Sequence, residues 1–137
     1  MKKLILLAAL IIMAATTYGQ TFKKGNYIII HVFTVTLAPN VTLEQFFDFA
    51  KNKVLPEWEK NMPGMKNYLA KGTLGECANC YGMVRTYKSK AVLDKFYNED
   101  SSMTEITKAI TTKMQPLLDE LGKLGTPTTK WTRWEIQ

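Results

Sequence analysis

The sequence predicts a single α+β domain with elements in the order strand, helix, two hairpin strands, helix and strand, and three observations carry that prediction. Tyr27 to Val35 is apolar at almost every position and rich in β-branched side chains, which suits a strand buried on both faces and central in its sheet. Two later segments, Leu43 to Trp58 and Met103 to Leu124, repeat apolar residues at spacings of three and four, the period of a helix with one buried face. Between these runs stand turn formers: Pro39-Asn40, Asn61-Met62-Pro63-Gly64 and Gly125-Thr126-Pro127.

Each element has its own signals. Thr42-Leu43-Glu44-Gln45 reads as a capping box, in which Thr42 and Gln45 serve each other's exposed amides and start the first helix. Leu43, Phe46, Phe47, Ala50, Val54 and Trp58 form its apolar face, and Pro56 should bend or restart it near Leu55. Met65 to Glu76 and Cys80 to Lys88 read as a hairpin. Ser89 should cap a short helix running through Tyr97, with Asn98 to Ser101 as an interruption. Ser102 and Glu105 suggest a second capping box ahead of the longest helix, which contains Pro116. Thr128 to Ile136 closes the chain as a strand with Trp131 and Trp134 on opposite faces.

The first nineteen residues read differently. Lys2 and Lys3 precede twelve apolar residues, Leu4 to Ala15, and Thr17-Tyr18-Gly19 offers small residues at a cleavage site, the pattern of an export signal. The expected division is therefore a signal peptide over 1–19 and one domain over 20–137, in the periplasm or secreted. Twelve apolar residues fall short of the roughly 20 a membrane-spanning helix needs. Without Lys2 and Lys3 the chain keeps 16 basic against 12 acidic residues, a mild excess with no run of five, so no nucleic-acid partner is expected. A domain of this size buries a small core, and a homodimer is the natural expectation.

In an oxidising compartment Cys77 and Cys80 are expected to form a disulfide across a turn at Ala78-Asn79, with a redox-active pair or two reduced thiols as alternatives. A redox pair is disfavoured because no helix N-terminus follows Cys80 to lower a thiol pKa. No metal is expected: a structural zinc site wants four ligands, and the only other soft ligand is His31.

The element order matches the split βαβ arrangement, and at Leu55-Pro56-Glu57-Trp58 followed by Met62-Pro63-Gly64-Met65 the chain resembles the dimeric α+β barrel superfamily. The resemblance spans residues 26–137. It implies a ferredoxin-like βαββαβ domain with a four-stranded antiparallel sheet, two of which close face to face as a dimeric α+β barrel, each subunit keeping a pocket between sheet and helices. That superfamily includes cofactor-free monooxygenases, haem-degrading enzymes, lactone isomerases and members with no known reaction, so the fold selects none of them.

Alternation along the first strand puts Tyr27, Ile29, His31, Phe33 and Val35 on one face and Ile28, Ile30, Val32 and Thr34 on the other. The aliphatic set suits helix packing, which turns the His31 set toward a pocket or the dimer interior. A hairpin turning at Ala78-Asn79 sets Gly72 opposite Arg85 and Ala70 opposite Tyr87, leaving room for a ligand above the small residues. His31 is the only ordinary candidate for a base near neutral pH, and an adjacent Arg85 would keep it neutral. The alternatives are a core histidine satisfied by protein partners, or a haem ligand. Arg85 suits a carboxylate or phenolate, or else a structural hairpin role, while Tyr87, Tyr68 and Phe33 would shape the wall. Trp58, Trp131 and Trp134 suit a core or dimer seam better than a pocket. The functional expectation is binding of a small aromatic or acidic compound, with oxidation or isomerisation and no bound cofactor. A non-catalytic binding or assembly module and a haem-binding protein are the competing readings.

Overall fold

The apolar run beginning at Tyr27 becomes the hub of the sheet. Strand β1 (Tyr27–Leu37) pairs antiparallel with β3 (Tyr81–Tyr87) on one side and β4 (Gly125–Glu135) on the other, and β2 (Met65–Lys71) completes the order β2-β3-β1-β4. This is the ferredoxin-like strand order expected from the element sequence. The computed structural model describes residues 22–74 and 80–137. The expected signal peptide, Cys77 and the Ala78-Asn79 turn lie outside the described residues.

The first helical segment starts as the sequence predicts: Thr42 Oγ1 accepts from the Gln45 amide at 3.2 Å, and the Gln45 side chain accepts from the Thr42 amide at 2.8 Å. Helix α1 (Leu43–Phe49) then widens into a π-helical turn, Ala50–Val54, before α2 (Leu55–Asn61) resumes with Pro56 in its first turn. Pro56 explains the restart. It has no amide to continue the α-helical ladder, whereas its ring is tolerated at a helix start. The chain leaves α2 through Gly64, whose φ of +91° favours glycine, and enters β2.

Ser89 caps α3 as expected, but that helix is one turn, Lys90–Leu93. The long helix α4 (Glu105–Leu124) runs through Pro116 and is capped by Thr104 rather than Ser102. Met103 pairs with Tyr97 in a β-bridge, which carries the chain past Ser102 in an extended form; Thr104 then accepts from the Thr107 amide while donating to the Lys95 carbonyl at 2.8 Å. Gly125 passes directly from α4 into β4, two residues before the expected stop is complete. A Cβ there would lie 2.9 Å from the Thr36 carbonyl oxygen, a backbone atom that cannot easily yield, so this close helix-to-strand passage needs glycine.

Two expectations about the sheet are corrected. The hairpin register places Asn67, not Gly72, opposite Arg85, and Met65, not Ala70, opposite Tyr87. The ladder closes where the Gly72 amide donates to the Cys80 carbonyl at 2.9 Å, so the connection is longer than a two-residue turn and Cys80 is matched with Gly72. The two faces of β1 are also exchanged. Ile29, His31 and Phe33 face the helices, where Phe33 and Tyr81 pack against Phe47 with ring centroids 6.2 and 4.0 Å away. Ile30 and Val32 lie on the uncovered face, 37% and 39% exposed. The aromatic row fills the wider space between sheet and helix, and the flat β-branched row is left outside.

The core is built of Ile29, Met62, Met65, Tyr87, Leu93 and Phe96, between the sheet and the connection running from α2 to α4. Thr107 is fully buried beside it, and its hydroxyl donates to the Phe96 carbonyl at 2.6 Å. This anchors the 96–104 segment over the sheet, and so forms a roof above the Arg85 and His31 positions.

Candidate functional site

Arg85 organises the helix-covered face. It projects from β3, is 8% exposed, donates from Nε to Asn67 Oδ1 at 2.9 Å and from an Nη to the Tyr97 hydroxyl at 3.1 Å, and lies 5.7 Å from the Trp58 ring. Each partner comes from a different element: Asn67 opposite it on β2, Tyr97 from the segment after α3, and Trp58 from α2. The ion pairs among the described residues all join a lysine to Glu or Asp, so Arg85 is a buried cation held by neutral groups.

Cavities adjoin it. One, about 160 Å³, is bounded by Phe33, Phe46, Phe47, Trp58, Met83 and Leu118 among others, with Ala50 and Val54 of the π-helical turn in its wall. Single π-helical turns often accompany functional sites, because the extra residue redirects the side chains that follow. The other, about 130 Å³, brings His31, Arg85, Tyr97, Ser101 and Arg133 together with the apolar Ile29 and Trp131. Arg85 lines both cavities.

His31 stands one residue pair along from Arg85, opposite Met83 on β3 and Trp131 on β4. Its ring stacks on Phe33 at 6.1 Å, Nδ1 is 3.4 Å from the Thr129 hydroxyl, and Nε2 is buried with no hydrogen-bond partner among the described residues. Burial first, and the positive charge of Arg85 second, lower its pKa to about 4, so the ring is neutral at pH 7 with a lone pair free. A neutral imidazole with an unsatisfied buried nitrogen beside a cavity can accept a proton or a hydrogen bond from a bound molecule.

The other expected site residues divide. Phe33 lines the apolar cavity. Tyr87 is 1% exposed in the core, set edge-on to Tyr97 at 6.4 Å, and burial pushes its phenol well up, so it supports Arg85 and Tyr97 from behind rather than facing a cavity. Tyr68 pairs with Val84 on the opposite face of the sheet, 46% exposed, and is not brought to this site. Cys80 is half-buried just ahead of β3, and no cysteine among the described residues is free. Arg133, Ser101 and Tyr97 were not singled out from the sequence. Arg133 had a legible signal, since it alternates with Trp131 and therefore shares its face of β4.

Among the described residues no group of three His, Cys, Asp or Glu side chains could hold a metal ion, and no helix is long and apolar enough to cross a membrane. At about 130 Å³ the cavity beside His31 is below the range of ordinary small-molecule and cofactor pockets, about 300 Å³ and upward, and so too small for a haem.

The strand order, the single helical layer and the sheet's uncovered face decide the fold. The chain is a ferredoxin-like α+β protein. Similar solved structures include SnoaB, a cofactor-independent oxygenase from Streptomyces nogalater, at 14% identity over 82% of this chain and 94% of that one, with a TM-score of 0.49. A dimeric protein of unknown function and ferredoxin-like fold from Bacteroides fragilis is 9% identical over 84% of this chain and 100% of that one, with a TM-score of 0.46. Likenesses at this level assign no residue and no reaction to the ferredoxin-like chain described here. No family model matches it, and no curated protein does.

Proposed function

We propose that this protein binds a small aromatic compound carrying an acidic group, with the ring in the apolar cavity and the acid at Arg85. The observation that carries the reading is a buried arginine, without a carboxylate partner among the described residues, that lines both an apolar cavity and one holding His31 and Arg133. A buried charge held only by neutral groups costs several kcal/mol, and an anionic ligand offsets that cost. Together the two cavities reach the lower end of the ordinary small-ligand range, about 300 Å³.

The chemistry this arrangement supports is proton abstraction. Neutral His31, whose low pKa restricts it to a strongly acidic position of the bound compound, takes that proton, and Arg85 stabilises the anion left behind. Returning the proton elsewhere on the molecule gives isomerisation; addition of the anion to dioxygen forms a C–O bond and, on return of the proton, a hydroperoxide, with dioxygen itself as the oxidant. Titration calorimetry with small aromatic acids tests the reading. Binding in the micromolar to low millimolar range, reported also by quenching of Trp58 at the cavity wall, is expected. A folded protein that bound none of them would remove the basis for both steps.

The domain acts outside the cytoplasm as a homodimer. Export rests on residues 1–19, and the short Cys77–Cys80 separation makes a disulfide clamp the natural state in that compartment. Intact mass of the exported protein should correspond to a chain beginning at Gln20 and lacking two thiol hydrogens. A mass that includes the leader, or two alkylatable thiols, would contradict this part of the proposal. Dimerisation rests on the uncovered sheet face, where Ile30, Val32, Tyr68 and Trp134 stand 37% to 57% exposed.

A further inference from the structure

Only two of the chain's 18 basic residues are arginines, and both line the cavity beside His31. Ile29 on the central strand is matched with Arg85 on one side and Arg133 on the other, so the two arginines project from the flanking strands onto the same face. Arg133 donates from Nη2 to the Ser101 hydroxyl at 3.1 Å, and its Nε is buried without a partner among the described residues. Ser101 is held with φ of +70°, a strained conformation for a residue other than glycine. Asp100, beside it, uses a carboxylate oxygen to accept from the Ser102 amide at 2.9 Å. Among the described residues no acidic side chain lines the cavity.

We infer that Arg85 and Arg133 form a two-arginine clamp for a carboxylate, which makes the ligand an aromatic carboxylic acid rather than a neutral phenol or amide. This rests on the small-acid reading proposed above and narrows it to one ligand class, with Arg133 as a second and independent anchor. Two guanidinium groups lining one small cavity repel each other, and a carboxylate between them removes that cost while accepting from both. Arginine suits the task where lysine does not, because its planar fork presents paired donors to the two oxygens of a carboxylate. Arg85 spends Nε on Asn67 and one Nη on Tyr97, so its other Nη remains for the ligand; Arg133 spends only Nη2, leaving Nε and Nη1. Tyr97 and Ser101 hold both guanidinium groups in place through hydroxyl groups, without neutralising either.

The test is titration calorimetry of the mature protein with benzoate and with benzamide, its neutral near-isostere, in the wild type, Arg133→Met, Arg133→Lys and Arg85→Met. The wild type should prefer benzoate at least tenfold. Arg133→Met should lower benzoate affinity by roughly 10- to 100-fold, the worth of a hydrogen bond to a charged group, and leave benzamide unchanged. Arg133→Lys should recover part of the loss, since it restores the charge without the fork. Unchanged far-UV circular dichroism and melting temperature establish that each variant is folded. If Arg133→Met binds benzoate as the wild type does while Arg85→Met does not, the clamp is wrong and the single-arginine reading stands. If the wild type binds benzoate and benzamide equally, or binds neither, both are wrong.

Discussion

Replacing Arg85 by methionine should raise the pKa of His31 from about 4 toward its ordinary 6.5 and weaken binding of an aromatic acid by about 100-fold or more. The two effects have one source. Burial is the larger cause of the low His31 value and Arg85 the second, so removing the guanidinium lifts part of the depression and leaves the part due to burial. The affinity loss follows because a charge-assisted contact to a buried arginine contributes more than one to a neutral donor, about 1.5–3 kcal/mol per hydrogen bond. Methionine also leaves Asn67 and Tyr97 short of a partner, so Arg85→Lys serves as the charge-retaining control, with His31 kept low and affinity partly kept. Since His31 is the only histidine, its imidazole resonance can be followed by NMR without assignment. A His31 titration that stayed near 4 in Arg85→Met would show that the two side chains are not electrostatically coupled. The same depression fixes the sign of the pH dependence of stability. The folded state binds the His31 proton less readily than the unfolded chain, so its contribution is complete above pH 6.5 and is lost as the pH falls toward 4. Bound ligand should reverse part of this, because a carboxylate at Arg85 offsets the positive charge that helps keep the ring neutral.

How far the sequence goes is clearest at β1 and β2. The central position of β1 is legible, because a run apolar on both alternating rows suits a strand with neighbours on either side rather than a sheet edge. Which face meets the helices is not, since both rows are apolar and alternation alone does not rank them. Phe47 decides it by packing on the aromatic row of β1 and β3. The hairpin shows how one boundary propagates. Reading Ala78-Asn79 as the turn shifted the expected pairing by five residues, and an odd shift moves every side chain of β2 to the other face. That register puts Tyr68 in the site and Asn67 outside it, whereas Asn67 accepts from Arg85 and Tyr68 lies on the opposite face. Thr42 and Ser89 were readable as caps because capping is local chemistry. Thr104 was not, because Met103 pairs with Tyr97 and only that contact displaces the helix start from Ser102. His31 and Arg85 were both found, each as the rare member of its chemical class. Arg133 was passed over because its role depends on the register of β4 against β1, which joins residues about a hundred positions apart.

Ile30→Asp should convert the proposed homodimer to a monomer while leaving the fold intact. Ile28, Ile30 and Val32 of β1 stand beside Val84 and Thr86 of β3, with Tyr68 and Trp134 from the two edge strands completing one face of the sheet. The helices occupy only the other face, so the middle of this surface, along β1 and β3, is largely apolar, while β4 adds Thr128, Lys130 and Thr132 beside Trp134 and β2 adds Lys66 at the edges. A second copy of the same surface, related by a two-fold axis, is its simplest complement, because a flat β-branched sheet packs face to face on another. An aspartate at Ile30 would bury an unpaired carboxylate at the centre of that contact, a cost of several kcal/mol per subunit. In the isolated subunit the same position is 37% exposed, so the cost there is limited to strand propensity, on a scale of about 1 kcal/mol. Sedimentation equilibrium separates the outcomes: a dimer for the wild type and a folded monomer for the variant are expected. Trp134, 57% exposed on this face, should report the change as a red shift in emission. A variant that remained a dimer of undiminished affinity would place the interface elsewhere. Because His31 and Arg85 lie on the helix side, the monomer should retain benzoate binding, which separates the consequences of assembly from those of the site.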